Sequence, residues 1–293
     1  MTADGQAEDG EDTRVHDTEA SAPGDDADYQ DILYEVEDRT AIITLNRPEK
    51  LNALSPRTVR ELRAAYAAAE GDEQVWTLLV TGNGRAFCTG ADVGEIPEDG
   101  RVVYDSPYLS THEQWEAPQE GTPPFRSMAK PVITAVNGLC CGAGLDWVTT
   151  GDITLASERA EFFDPHVSIG LVSGREMVRL ARVLPTGVAM RLALTGRHER
   201  IGAARACELG LVSEVVEHER LLERAKEVAA LVNRNAPLAV RGTRLAIRRT
   251  LDLPLHEAEI LAEAYRERVV RTDDAREGPA AFMEKRTPNW TAS

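Results

Sequence analysis

Long apolar runs, positive charge and paired cysteines are what this 293-residue chain has least of. Its longest hydrophobic stretches fall well short of the roughly 18 residues that a membrane helix needs. Its first residues are acidic, where an export signal has a basic region followed by an apolar core. Lys and Arg total 33 against 49 Asp and Glu, for a net charge of −16, which makes the chain a poor candidate for nucleic acid, whose affinity rests on basic contacts. None of the four cysteines forms a Cys-x-x-Cys pair, and no His or Cys cluster has metal-ligand spacing. These shortages leave a cytoplasmic protein with no nucleic-acid, membrane or metal partner, its thiols suited to a reducing compartment.

What is present is an ordinary globular composition, 42% hydrophobic and 28% charged, long enough to bury a sizeable core. One main domain with a small appendage is expected. The acidity is mostly a tail: the first thirty residues hold ten Asp or Glu against one Arg. With almost no large apolar residue, residues 1–27 cannot offset their ordering entropy and are expected to be disordered and solubilising.

The most informative stretch runs from Asn137 through Gly138-Leu139-Cys140-Cys141-Gly142-Ala143-Gly144 to Leu145-Asp146. An apolar strand, 131–136, leads in, and an apolar-periodic helix, 145–150, leads out. Gly142 and Gly144 lack a Cβ, so a ligand atom can lie against the backbone, and the first N–H groups of the helix have no intrahelical partner. A second turn of this kind, 82–92, follows the buried strand Leu78-Leu79-Val80-Thr81. Such turns are also common α/β punctuation. Two together can supply converging N–H donors for an oxyanion, each worth roughly 3 to 4 kcal/mol of barrier. Neither has the glycine spacing of a dinucleotide fingerprint or the Gly-Lys-Ser/Thr ending of a phosphate loop.

Along the chain, 32–36 and 40–45 read as a hairpin, and Ser55-Pro56 as the cap and first position of a helix with Leu62, Ala65, Tyr66 and Ala69 on its apolar stripe. Further strands are expected at 76–81, 132–136, 153–156 and 211–216, and helices at 145–150, 173–183, 188–194 and 203–209. From residue 221 the pattern is helical, at 221–233, 237–250 and 255–270. Residues 97–127 hold five Pro and the aromatics Tyr104, Tyr108, Trp115 and Phe125, the character of a lid or pocket wall. His112 falls in it and reads as an exposed loop histidine. Strand-strand-helix units repeated in this way imply an α/β spiral.

These segments together resemble the crotonase superfamily, the enoyl-CoA hydratase/isomerase group of acyl-CoA enzymes. The resemblance rests on Leu45-Asn46-Arg47-Pro48-Glu49-Lys50-Leu51-Asn52-Ala53-Leu54, 85–93, Lys130 through Gly138, Gly151-Asp152-Ile153, 206–212 and Phe282-Met283-Glu284-Lys285-Arg286, and covers nearly everything from Asp31 onward. It implies a crotonase-like spiral core over 28–219 and a C-terminal helical region, 220–293, that serves trimer or dimer-of-trimers assembly and completes a coenzyme A site. Coenzyme A would arrive as part of an acyl-CoA substrate, with no separate cofactor. The lid aromatics would border the acyl pocket.

The resemblance also implies roles. Backbone N–H groups of Ala91 and Ala143 would hold the thioester oxygen; Ala143 stands where most relatives have glycine, which its methyl permits if φ is negative. Lys50, Leu51, Ala86, Asp92 and Gly142 lie in segments that cradle substrate, and Phe282 and Lys285 would approach the adenine end, across a subunit boundary. Where the hydratases carry two glutamates this chain has Asp146 and His166. An imidazole near neutrality can take a proton from water and return it, while a carboxylate in reach fixes its tautomer and stabilises the cation. A core histidine and a helix first-turn acid are the plainer readings of the two. Asp164, Arg175 and Glu176 are candidate supporting partners. Water addition or a double-bond shift through an enolate is the leading expectation. Carbon–carbon hydrolysis of a β-diketone-like substrate, for which related hydrolases carry a histidine in a Pro-His segment, is a second. A degenerate acyl-CoA-binding subunit is a third.

Overall fold

The computed structural model describes residues 29–92, 94 and 128–293. The acidic tail, residues 97–127 and His112 lie outside the described residues.

The hairpin forms as read. Strands β1 (Ile32–Glu37) and β2 (Thr40–Leu45) pair antiparallel with Glu37 opposite Thr40, and the two turn residues, Asp38 and Arg39, both have positive φ, 46° and 64°. That is the turn whose twist matches the flanking strands. Helix α1 (Pro56–Gly71) starts at a capping box: Ser55 Oγ accepts the Thr58 N–H at 3.0 Å and Pro56 takes the first position. Its buried stripe is Thr58, Leu62, Ala65, Tyr66 and Ala69, one face at helical spacing. The buried Lys130 ammonium closes the other end, donating to the Ala69 and Asp72 carbonyls at 2.6 Å each.

The remaining strands alternate between two sheets. β3 (Thr77–Gly82), β5 (Val132–Val136), β7 (Ile153–Ser157) and β10 (Glu214–Val216) extend the first sheet in the order β1-β2-β3-β5-β7-β10, parallel from β2 onward. β4 (Ala86–Cys88), β6 (Leu139–Cys141), β8 (Glu161–Phe163) and β9 (Ile201–Gly202) form the second, β4-β6-β8 parallel and β9 antiparallel. Each of β3, β5 and β7 is thus followed directly by a short strand of the second sheet. This is the α/β spiral, and the C-terminal ends of β3 and β5 open onto the two glycine turns.

The short second-sheet strands were not legible as strands. Three residues cannot display a period of two, so 86–88 and 139–141 read as parts of turns. The expected strand 211–216 contracts to Glu214–Val216, because Gly210 turns at φ 78° and Leu211 and Val212 bury their side chains in the core instead.

Helix α2 (Gly144–Thr150) has all seven residues buried, as a helix covered on every side must. Trp147 in it donates to the Tyr66 hydroxyl at 2.9 Å and meets Phe87 edge to face. Helices α3 (Arg175–Val183), α4 (Thr186–Thr195), α5 (Ala203–Glu208), α6 (Leu221–Asn233), α7 (Pro237–Thr250) and α8 (Leu255–Val269) follow the expected pattern, α3 starting two residues later than read. A further helix, α9 (Asp274–Glu284), contains Pro279, the kind of residue that argues against a helix from sequence.

Candidate active site

Gly90 and Gly142 have φ of 87° and 55°, a region open to glycine and costly for other residues. They press the two turns together: a methyl built on Gly142 would stand 3.4 Å from Gly90 Cα, and one built on Gly90 3.4 Å from the Ala143 nitrogen. Gly144 has no room either, a Cβ there falling 2.5 Å from the Cys88 carbonyl oxygen. The second turn therefore packs backbone to backbone on the first.

Ala91 and Ala143 each present an N–H here. Ala91 forms an isolated parallel bridge with Leu54, in which Leu54 N–H donates to Gly90 O at 2.8 Å and Asp92 N–H donates to Leu54 O at 3.0 Å. That pattern turns the Ala91 N–H away from Leu54. Ala143 is the N-cap of α2, with φ −57° and ψ −20°, so its methyl is unstrained and its N–H precedes the helix.

The turns are held from beneath by Asn52 and Asn137, to which sequence reasoning gives no role, and by a corner at Leu51, which it places on the substrate side. Leu51 and Asn52 have φ of 53° and 54° and make a left-handed corner after the 3-10 turn Pro48–Lys50. Asn52 donates to the carbonyls of Asn83 and Ala86, at 2.9 and 2.8 Å, and Asn137 donates to those of Gly84 and Ala86, at 2.8 and 3.1 Å. Two asparagines thus fix the strand that carries buried Ala86. Positive φ and a buried amide are invisible in composition, although asparagine is enriched in the left-handed region. Lys50 is exposed at the end of the 3-10 turn. Asp92 is not a free carboxylate: Arg47 Nη2 reaches it at 3.1 Å, and the Gly94 N–H donates to it at 3.1 Å.

His166 begins the 3-10 turn His166–Ile169 that follows β8. Its Nδ1 lies 2.8 Å from Asp164 Oδ1, which also accepts the His166 backbone N–H at 2.8 Å, while Ser173 Oγ donates to Asp164 Oδ2 at 2.6 Å. The His166 ring faces the second glycine turn, its Cε1 3.9 Å from a methyl built on Gly142. Burial pushes the Asp164 carboxyl up, but its bonds from the His166 ring, Ser173 and the His166 backbone hold it below the usual carboxylate range. That same bond raises His166 above its ordinary value, against burial. With Nδ1–H donated to a carboxylate, neutral His166 keeps Nε2 as its acceptor.

The carboxylate in contact with the imidazole is therefore Asp164, and Asp146 has other partners. Asp146, fully buried on α2, takes Arg179 Nη1 on Oδ1 at 2.6 Å, with Arg175 Nη2 3.6 Å from Oδ2. Burial holds its carboxyl above the usual carboxylate range, with the Arg179 and Arg175 guanidiniums offsetting only part of that rise. Arg179 was missed in the sequence, although its position four residues after Arg175 on α3 places both on one face. Glu176 is buried beside them, 3.8 Å from Arg175 Nη2.

Cys88, Cys140 and Cys141 are buried under the turns; burial pushes the Cys88 and Cys141 thiols up to about 12 and Cys140 well above the ordinary value. Neutral thiols of this kind are packing groups rather than nucleophiles. Among the described residues no cluster of three His, Cys, Asp or Glu could hold a metal ion, and no helix is long and apolar enough to cross a membrane. Phe282 and Lys285 lie elsewhere in the single chain. Phe282 is exposed on α9, and Lys285 lines a cleft of about 540 Å³ with Arg39 and Trp76, just before β3, whereas the first glycine turn follows its other end.

Residues 35–293 match the enoyl-CoA hydratase/isomerase family profile. The short-chain-enoyl-CoA hydratase of Clostridium acetobutylicum is 34% identical over 265 residues, 88% of this chain and 97% of that protein. The mevalonyl-coenzyme A hydratase of Aspergillus fumigatus is 34% identical over 256 residues, 86% and 91% of the two chains. A crystal structure of an enoyl-CoA hydratase/isomerase from Mycobacterium paratuberculosis superposes with a TM-score of 0.85 at 70% identity, over 90% of this chain and 100% of that one.

Proposed function

The chain belongs to the enoyl-CoA hydratase/isomerase family of the crotonase superfamily, and from that premise we propose that it adds water across the activated double bond of an acyl-CoA thioester, with His166 as general base. The carrying observation is the His166–Asp164 bond of 2.8 Å beside the Gly142 turn. In this reading the thioester oxygen accepts from the Ala91 and Ala143 N–H groups. His166 Nε2 takes a proton from water as the water oxygen bonds to Cβ of the enoyl group, and the double-bond electrons move onto the thioester oxygen as an enolate. The imidazolium, stabilised by anionic Asp164, returns the proton to Cα. Every proton is accounted for by one imidazole, so the step asks for no metal or redox cofactor, coenzyme A coming and going with the acyl group.

Lys50, Leu51, Ala86, Asp92 and Gly142 would line the coenzyme A path, with Asp92 acting through its bond to Arg47. Phe282 and Lys285 would serve a neighbouring subunit's site in a trimer or dimer of trimers. Exposed Ile247, Leu255, Ile260 and Met283 on α7 to α9 supply apolar surface for that assembly. Four free cysteines and an acyl-CoA substrate suit the cytoplasm.

A second reading, hydrolysis of a carbon–carbon bond in a β-keto thioester, is favoured by the same pair, since an Asp-oriented histidine activates water equally well for attack on a ketone. Turnover over a small panel that includes crotonyl-CoA and a β-keto thioester separates the two by product. Hydration of crotonyl-CoA that falls about 10²- to 10⁴-fold in His166→Gln, with acyl-CoA binding retained, is the expected result. Binding without any turnover would make the chain a degenerate acyl-CoA-binding subunit instead.

A further inference from the structure

Asp146 holds a fully buried carboxylate in an unusual state. A guanidinium ordinarily meets a carboxylate with two parallel bonds. Here Arg179 bonds Oδ1 alone, and Oδ2 has no hydrogen-bond partner among the described residues, the nearest Arg175 nitrogen standing at 3.6 Å. A buried acceptor left open is costly unless something else fills it. Asp146 also lies one turn into α2, its N–H donating to the Ala143 carbonyl at 3.1 Å, so it is fixed to the residue that presents one of the two turn N–H groups. The charged and titratable groups around it are Arg179, Arg175 and Glu176 from α3, Cys88 from β4, and His166.

We propose that Arg179 is a positioning residue for the reaction: by locking Oδ1 it leaves Oδ2 open and aims it at the water that His166 deprotonates. The inference rests on the hydration reading above. The division of labour is then complete, His166 moving the proton, Asp164 orienting the imidazole, and Asp146 orienting the water.

The test is the pH dependence of crotonyl-CoA hydration in Arg179→Met, Arg179→Lys, Asp146→Asn and the Arg179→Met/Asp146→Asn double variant, with His166→Gln alongside. Loss of Arg179 removes the charge that opposes burial, so Asp146 keeps its proton to higher pH. The acidic limb of log kcat should then steepen from the loss of about one proton to the loss of about two, with kcat down about 10- to 100-fold and KM within about threefold. Arg179→Lys, which restores charge without the fork, should return the single-proton limb at an intermediate rate. In the double variant Arg179→Met should add nothing to Asp146→Asn. A single-proton limb in Arg179→Met, or an effect additive with Asp146→Asn, overturns the proposal. If Arg179→Met does not fold, a normal limb and wild-type rate in both Arg179→Lys and Asp146→Asn overturn it equally. His166→Gln separates the two levels: its full activity would sink the hydration reading, whereas its loss together with an unaffected Arg179→Met sinks this inference alone.

Discussion

Asp146 and Asp152 stand near the two ends of one short helix, α2, and each faces two arginines, yet they are finished differently. Asp152 is saturated: Arg244 Nε bonds Oδ2 at 2.6 Å, Arg248 Nε bonds Oδ1 at 2.8 Å, and the Val132 N–H donates to Oδ2 at 2.8 Å. Arg244 also donates to the Met128 carbonyl and Arg248 to the Gly151 carbonyl, so the clamp ties α7 to the start of β5 and the end of α2. Asp146 has one oxygen bonded and one left open. A carboxylate whose acceptors are all filled by the protein has nothing left to offer a ligand and serves the fold. One kept half-filled in the interior, on the helix that leaves a glycine turn, has an acceptor left for the water that the proposal above assigns to it.

The comparison can be broken by exchanging the two effects. Asp146→Asn should lower turnover by about 10²-fold with a smaller loss of stability than at Asp152, because Arg179 and Arg175 are themselves 20% and 30% exposed and can rehydrate, as measured by kinetics and thermal melting side by side. Asp152→Asn should do the reverse, costing roughly 2 to 4 kcal/mol of stability because two arginines lose their counter-charge, with turnover per folded molecule within about twofold. Equal loss of turnover in both would erase the distinction.

A smaller effect is expected at the other carboxylate of the site. Asp164→Asn keeps an acceptor for Nδ1–H but removes the carboxylate charge that strengthens that bond and raises His166, so the imidazole should lose its proton at lower pH and the acidic limb of the rate profile should move down, with the rate reduced about tenfold. Smaller again, Gly142→Ala forces a methyl into φ 55° at about 1 to 2 kcal/mol and displaces the Ala143 N–H by a fraction of an ångström, which should appear as a severalfold fall in kcat with binding unchanged. The least effect is expected from thiol reagents. Cys88, Cys140 and Cys141 are buried, and their burial raises all three thiols, so the native protein should label at half-buried Cys207 and keep its activity.

The same contrast explains what the sequence could tell. Long first-sheet strands such as Thr77–Gly82, the capped helix α1 and the glycine turns were legible because their signals are local: periodicity, a capping residue, positions without a Cβ. His166 and Asp146 were singled out through their places in a family pattern. The partner of each was set by the way β8, the following 3-10 turn and α3 pack, which no spacing encodes. Asp164 lies two residues from His166 and was named as a candidate partner on that nearness. Arg179 lies 33 residues from Asp146 and reaches it only because α3 docks on α2. Short strands β4, β6 and β8 were hidden for a similar reason, three residues being a strand only when a neighbour pairs with them.

The account stands on His166 acting as the base, and the acidic limb of kcat/KM against pH for crotonyl-CoA hydration tests it most directly. A protonated imidazole cannot accept from water, so the rate must be low at acid pH and rise as His166 loses its proton. Because the Asp164 bond raises that group, the rise should centre above the ordinary histidine value of about 6.5. In His166→Gln the rate should fall about 10²- to 10⁴-fold and the limb should vanish. A His166→Gln enzyme that keeps both its rate and the same acidic limb would show that the water is activated elsewhere.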